Sequence, residues 1–414
     1  MKKKILLLVP DVNVGGVGRV ISNISKLLSE KYNFTVCIFD LSNSFYEIDG
    51  SVIDLGIKNG NNPVSYFVAQ LRRLYKVHQL KRKLDFDLSI SFITSAHYIN
   101  CLSRHKEKIV LSLRNPFTHD YLHRNLAKYI GNSSLATKIK IRVFSLADII
   151  IPNSKRGLLD IDEFEVFKKA EIQLDYIQNF VDIKKVEAQA KEPLDDEVDI
   201  LFEKHRIILN VARLYEQKGI DTLLSVYANY RKPNKRNAKL VIIGDGVRRA
   251  DLIERAKLLG LKVYHIWEEN QFDDSYDVYF LGTKKNPYQF MSRATIFLFP
   301  TRFEGFPNTI IESMACKLPV LCSDCVSGPR EILLPDTDLR SDANSAELGQ
   351  GGILLPLILS ENKNLEAIWA ASLNELLDNE ELRMSLSARA YRRSHDFSKD
   401  RIFEKWSSLI EAAI

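Results

Sequence analysis

Short continuous apolar runs rich in Ile, Leu, Val and Phe alternate along this chain with longer segments of helical period. The first run, Ile5 to Val9, leads into the loop Asp11-Val12-Asn13-Val14-Gly15-Gly16-Val17-Gly18 and then a helical pattern from about Arg19 to Glu30. A buried strand, a glycine-rich turn and a helix open a Rossmann-like unit. Runs at 35–39, 88–92, 109–113 and 148–151 predict further strands, with helices between 64 and 84 and between 119 and 146. Continuous rather than alternating apolar runs imply a parallel sheet covered by helices on both faces.

From residue 179 to 203 the chain turns polar and charged, which reads as a linker. Beyond it the rhythm restarts, with strands predicted at 206–212, 240–244, 278–281, 295–300 and 319–322. Helices fall at about 219–230, 248–259, 287–293 and 309–315, and a helical tail covers 365–414. The expectation is an α/β protein of two Rossmann-like, doubly wound domains facing each other across a cleft. Residues 1–185 form the first and 200–397 the second, and a final helix, 398–414, crosses back to the first. Two polar stretches, 267–276 and 334–352, read as surface insertions.

Composition agrees with two cores. With 414 residues, 45% of them apolar and 27% charged, the chain exceeds what one hydrophobic core supports. The 58 Lys and Arg against 53 Asp and Glu leave a net charge of +5, too mild to argue for nucleic acid. Five cysteines, an odd number at low density, suit reduced thiols and a cytoplasmic protein. The apolar run after Met1-Lys2-Lys3-Lys4 stops at Pro10, too short for a secretory leader, and no run of apolar residues is long enough to span a membrane.

Charged residues past the strand ends carry the chemistry. Arg213 follows the strand at 206–212 and Lys218 starts the next helix, so both cations can point into the crevice where open α/β sheets bind ligands. Two cations there suit a diphosphate, although solvated loop charges have the same spacing. After the strand at 295–300 come Glu304, then Gly305-Phe306-Pro307, with Asn308 or Thr309 as the cap of a helix that carries a second acid, Glu312. Carboxylates accept hydrogen bonds from sugar hydroxyls, and free N–H groups at a helix start hold a phosphate. A sugar nucleotide therefore matches this loop. The Gly15-Gly16 loop is a weaker sign: Ile21 stands where a dinucleotide fingerprint has its third glycine, and a tight βα turn explains the glycines as well.

Glu304 to Glu312 resembles the Glu-x7-Glu motif of the family 4 glycosyltransferases, retaining enzymes of the two-domain GT-B fold. The likeness extends to Arg213–Gly219, Ile242-Ile243-Gly244-Asp245-Gly246, Phe280-Leu281-Gly282, Pro319 to Asp324, Ser327 to Ile332 and the Gly15-Gly16 loop. It is specific in the second half and loose over residues 30–180. The resemblance implies that Arg213 and Lys218 hold the donor diphosphate, Glu304 meets the hydroxyls of the transferred sugar and Glu312 the ribose. It implies that Gly244, Gly305 and the backbones of Phe306, Pro307, Asn308 and Thr309 line sugar and phosphate. Gly282 and Thr283 would face the base, and Gly15 and Gly16 would approach the diphosphate. Family members often place a histidine near the reacting sugar; here Arg114 takes that strand end and His119 follows five residues later, so both are candidates. The resemblance implies no carboxylate nucleophile, no metal and no cofactor beyond the nucleotide-sugar co-substrate, a UDP-sugar.

Other chemistries fit less well. His119 and His123 have the spacing of a zinc helix but lack the companion glutamate and a third ligand. Cys322-Ser323-Asp324-Cys325 is a lone C-x-x-C. Between residues 70 and 84, Arg72, Arg73, Lys76, Lys81, Arg82 and Lys83 alternate with apolar residues without any acid, which predicts a basic amphipathic helix. Such a helix can rest on the inner membrane surface or hold a pyrophosphate-linked lipid, or simply cover the sheet with its leucines. The expected function is transfer of a hexose or N-acetylhexosamine to a lipid-linked or surface-polysaccharide glycan, such as a lipopolysaccharide. The alternatives are another nucleotide-sugar enzyme on the same fold and a non-catalytic glycan-binding component of a membrane assembly.

Overall fold

The structure is a computed structural model that describes residues 2–12, 16–41, 47–60, 62–115, 117, 135–231, 238–268 and 271–414. The chain forms two compact units, residues 1–179 with 400–414 and residues 180–399.

In the first unit, seven parallel strands lie in the order β3-β2-β1-β4-β5-β6-β7. They are β1 (Lys4–Val9), β2 (Asn33–Ile38), β3 (Ser51–Asp54), β4 (Leu88–Phe92), β5 (Lys108–Leu113), β6 (Ile149–Pro152) and β7 (Gln173–Leu174). The interior strand β1 is wholly buried from Ile5 to Val9, as the uninterrupted apolar run requires. Strand order reverses between β1 and β4. Right-handed crossovers therefore place α1 (Gly16–Leu28) on one face and α2 (Pro63–Leu84), α3 (Thr94–Leu102) and α4 (Leu135–Phe144) on the other. Helix α3 packs against both α2 and α4. The C-terminal helix (Lys399–Ala413) gives Trp406 to this unit, against Phe92 and Arg114.

The second unit holds β8 (Ile207–Val211), β9 (Lys239–Ile243), β10 (Val263–His265), β11 (Val278–Phe280), β12 (Ile296–Phe299), β13 (Val320–Ser323), β14 (Glu347–Leu348) and β15 (Gly352–Leu355). Their order is β10-β11-β9-β8-β12-β13-β15-β14, parallel except for β14. Neighbouring residues feed opposite faces, as the pleat demands. Leu209, Val241 and Phe297 enter one core, and Ile208, Leu240 and Leu298 the other.

Two stretches differ from expectation. The polar segment 179–203 is helical, with α5 (Ile183–Ala190) and α6 (Asp196–Lys204) inside the second unit. Its few apolar residues, Val186, Val198, Leu201 and Phe202, recur at helical spacing and are buried, so a narrow core-facing stripe sits within a charged sequence. The expected insertion 334–352 contributes edge strand β14 and buries Leu339 and Ala343.

The basic helix is also corrected. Arg73 and Lys81 face inward on α2 with Ala69 and Val77. Lys81 Nζ lies 2.7 Å from Glu107 Oε1, both side chains being buried, and it donates to Asn100 Oδ1 at 2.7 Å. Burial pulls the Lys81 ammonium below its ordinary value and Glu107 pulls it back. Arg73 donates to Asn59 Oδ1 and the Ile57 carbonyl with its guanidinium over the Phe39 ring, and Lys76 donates to the Leu55 carbonyl. A lysine with four methylenes reaches a buried acid as readily as solvent, and spacing alone does not separate the two.

Removing one partner of a buried ion pair leaves an unpaired charge in the core. Glu107→Ala is expected to cost the first unit about 3–5 kcal/mol in denaturant unfolding, and Lys81→Met combined with Glu107→Leu to recover most of it.

Candidate active site

Local chain geometry in the second unit brings the loops after β8 and β12 together. Gly219 has φ +63°, and a Cβ there would lie 2.0 Å from the Pro300 carbonyl oxygen, so only glycine lets these loops meet. Gln217 Nε2 donates to the Phe303 carbonyl at 2.7 Å, and the Arg302 N–H donates to the Gln217 carbonyl at 2.8 Å. Gly244, after β9, has φ +145°, and a Cβ would lie 1.9 Å from the Ala212 oxygen.

This junction joins two of the expected residues directly. Lys218 Nζ donates to Glu304 Oε1 at 2.5 Å, and Thr301 Oγ1 donates to the same oxygen at 2.8 Å. Glu304 is buried, and among the described residues its Oε2 accepts no hydrogen bond. One carboxylate oxygen is thus anchored, and the other keeps its capacity to accept a hydrogen bond. Thr301 was not singled out from sequence; its only signal is its place three residues before Glu304. Arg213 is exposed, its guanidinium 5.1 Å from the Tyr215 ring centroid, with no ion pair among the described residues.

Helix α7 (Asn308–Ala315) begins one residue after its N-cap, which is Pro307 and not the expected Asn308 or Thr309. No side chain caps it, and Asn308 Oδ1 is a buried acceptor without a partner among the described residues. Uncapped N–H groups beside an unused acceptor suit a ligand carrying both anion and hydroxyl groups. Glu312 lies buried in the same helix and accepts from the Tyr288 hydroxyl at 3.2 Å. Ser327 Oγ donates to the Gly305 carbonyl at 2.8 Å, and the Phe306 ring packs into the core against Phe397. Gly282 accepts from the Gly244 N–H at 2.8 Å, and Thr283 beyond it is exposed. The loops after β8, β9, β11 and β12 therefore end on one edge of the sheet, the carboxyl edge where open α/β sheets bind ligands.

In the first unit, Gly16 starts α1 after β1, while Gly15 and His119 lie outside the described residues. Arg114 follows β5. Its Nη1 donates to Asn179 Oδ1 at 3.0 Å, and its guanidinium lies over the rings of Phe92 and Trp406. Burial pulls it down to about 9, and its Nε and Nη2 lack hydrogen-bond partners among the described residues. On α3, His97 lies 2.9 Å from Ser91 Oγ, and burial, with Lys140 and Arg114 adding, pulls its imidazole down to about 3. Sequence reasoning passed over His97 for His119.

No group of three or more His, Cys, Asp or Glu that could hold a metal occurs among the described residues. Burial pushes the thiols of Cys322 and Cys325 well above the ordinary range, against a redox pair.

Residues 195–348 match the family model of the glycosyl transferases group 1, less than half of the chain. The whole chain has relatives among curated proteins. It is 29% identical over 396 residues to an uncharacterized glycosyltransferase of Methanocaldococcus jannaschii, covering 90% of this chain and 92% of that one. It is also 29% identical over 408 residues, 97% of each, to the N-acetylgalactosamine-N,N'-diacetylbacillosaminyl-diphospho-undecaprenol 4-alpha-N-acetylgalactosaminyltransferase of Campylobacter jejuni. Among solved structures, Anabaena HepE in complex with UDP matches over 100% of both chains, with a TM-score of 0.67 at 18% identity. The architecture is that of the GT-B fold, two Rossmann-like units.

Thiol alkylation at pH 8 is expected to leave Cys322 and Cys325 unmodified in the folded protein and to modify both after denaturation, read by mass spectrometry. Modification in the folded state would restore the redox reading.

Proposed function

We propose that the protein is a retaining glycosyltransferase that moves a hexose or N-acetylhexosamine from a nucleoside diphosphate sugar, a UDP-sugar, to a lipid-linked or polysaccharide glycan. The observation that carries this is the Lys218–Glu304 contact beside the uncapped start of α7. A cation and a half-anchored carboxylate at a helix N-terminus supply, within one junction, a group for a diphosphate and a group for sugar hydroxyls. The relatives support it: the Campylobacter protein is named for transfer onto an undecaprenol-linked glycan, and the Anabaena structure holds UDP.

In this reading Arg213 and the remaining N–H groups of Lys218 meet the charge that grows on the leaving diphosphate. Preorganised donors of that kind are the main source of rate enhancement in such displacements. Glu304 Oε2 accepts from a hydroxyl of the transferred sugar, and Glu312, oriented by Tyr288, accepts from the ribose. Retention follows from the resemblance to the family 4 enzymes, in which the leaving diphosphate takes the acceptor proton on the face it departs from. No cofactor or metal is assigned. Arg114, whose Nε and Nη2 have no hydrogen-bond partner among the described residues, is the candidate in the first unit for an oxygen of acceptor or sugar.

Two measurements test this. At 100 times its dissociation constant the cognate nucleotide should stabilise the fold by about 2.7 kcal/mol. A thermal-shift panel of UDP, GDP, ADP and their sugars should therefore single out UDP, and no shift with any of them overturns the reading. Arg213→Ala and Lys218→Ala are each expected to lower turnover by about 10²–10³-fold, roughly 2.7–4 kcal/mol; near wild-type rates in both would displace the diphosphate site.

A further inference from the structure

On a helix that covers a sheet, the face opposite the core is normally polar. Helix α2 is reversed in its first half. Ala69, Arg73, Val77 and Lys81 form the buried stripe. At 100° per residue, Val64, Phe67, Val68, Leu71 and Tyr75 fall within a sector about 100° wide on the opposite side. They are exposed, Val64 at 74%, Phe67 at 62%, Leu71 at 50% and Tyr75 at 63%. Arg82 continues the same line, and the exposed side chains of Arg72, Lys76 and Lys83 flank it. From Leu55 to Leu84 the chain contains no acid.

A second helix repeats the pattern. On α4, Leu135 at 74% and Ile139 at 49% are exposed one turn apart, beside the exposed Lys138 and Arg142. Residues 121–147 are likewise free of Asp and Glu. Helices α2 and α4 lie on the same face of the first sheet, each packed on α3. Exposed apolar patches rimmed by charge mark interaction surfaces, and this one has a single sign of charge.

We propose that this face docks on an anionic lipid bilayer, with Val64, Phe67, Leu71 and Tyr75 of α2 in the acyl boundary and Arg72, Arg82 and Lys83 at the phosphate level. An aromatic and aliphatic ridge with flanking cations is the chemistry that a negatively charged interface recruits. Two helices on one face of the sheet carrying it, with α3 between them, suit an extended surface better than a single partner helix. No helix among the described residues is long and apolar enough to cross a membrane, so the contact is interfacial. The inference deepens the lipid-linked acceptor reading by naming the surface on which such an acceptor is met.

The test is co-sedimentation of the full chain with vesicles of phosphatidylcholine alone or mixed with phosphatidylglycerol, at low and high salt. The expected result is binding to the anionic vesicles, weakened by salt and lost in Phe67→Glu with Leu71→Glu. Arg72→Gln with Arg82→Gln is expected to weaken partitioning by roughly 30-fold. An unchanged thermal midpoint certifies the fold of each variant; should the double glutamate variant fail to fold, Tyr75→Glu replaces it. Failure of the wild type to bind anionic vesicles, or equal binding by the folded glutamate variant, overturns the proposal. So does a wild-type dimer in solution that the same variant turns into monomer, because the ridge then serves a second copy. The nucleotide-induced thermal shift is read separately without vesicles, so failure here is distinguishable from failure of the transferase reading.

Discussion

The candidate site in the second unit depends on one short contact, the ammonium of Lys218 against the carboxylate of Glu304. It ties the loop after β8 to the loop after β12 across the point where strand order reverses, the position in a parallel sheet where no crossover covers the carboxyl edge. Gly219 permits the approach, Gln217 and Arg302 zip the backbones, and Thr301 fixes the carboxylate rotamer. A partly buried ion pair of this kind is weak evidence for stability, since desolvation offsets most of its attraction. Its better explanation is placement, because it holds a charge of each sign together at the carboxyl edge of the sheet, as the proposed sugar-nucleotide site requires.

The two units solve the problem of buried charge differently. In the second, Lys218 and Glu304 sit at the rim, where a ligand can replace one partner by another. In the first, Lys81 of α2 and Glu107 are buried together and joined to Asn100 and Ser89 in a network closed to solvent. Arg114 is the intermediate case: among the described residues it has aromatic rings and one amide as neighbours but no carboxylate. A guanidinium in that state is costly unless something anionic or hydroxylic completes it.

Much of the fold was legible because parallel strands buried on both faces are written as apolar runs, such as Ile5 to Val9 and Ile296 to Phe299. Elements whose burial rests on few residues escaped. Strand β3, largely exposed at the sheet edge, carries no such run, and α5 and α6 hide sparse core residues among charges. At the candidate site, Arg213, Lys218 and Glu304 were singled out because ionisable residues in the loops past strand ends stand out, and Glu312 by its spacing from Glu304. Thr301 and Tyr288 were not, since a hydroxyl that orients a carboxylate resembles any other hydroxyl in sequence. The six cations of α2 misled for a related reason: a count of charges along a helix does not say which ones point inward, and the apolar residues on its outer face were the more telling half of the pattern.

The chain leaves the first unit after Asn179 and returns only at Asp400, so the second unit is an insertion within the first. During synthesis the first unit must wait for the whole of the second before the helix carrying Ile402, Phe403, Trp406 and Ile410 emerges from the ribosome. Until then Phe92 lacks the indole that packs on it and Arg114 one of its two rings, while the intervening unit, continuous in sequence, is free to fold by itself. A polypeptide cut off just after Lys399 would thus carry its damage in the unit that was made first.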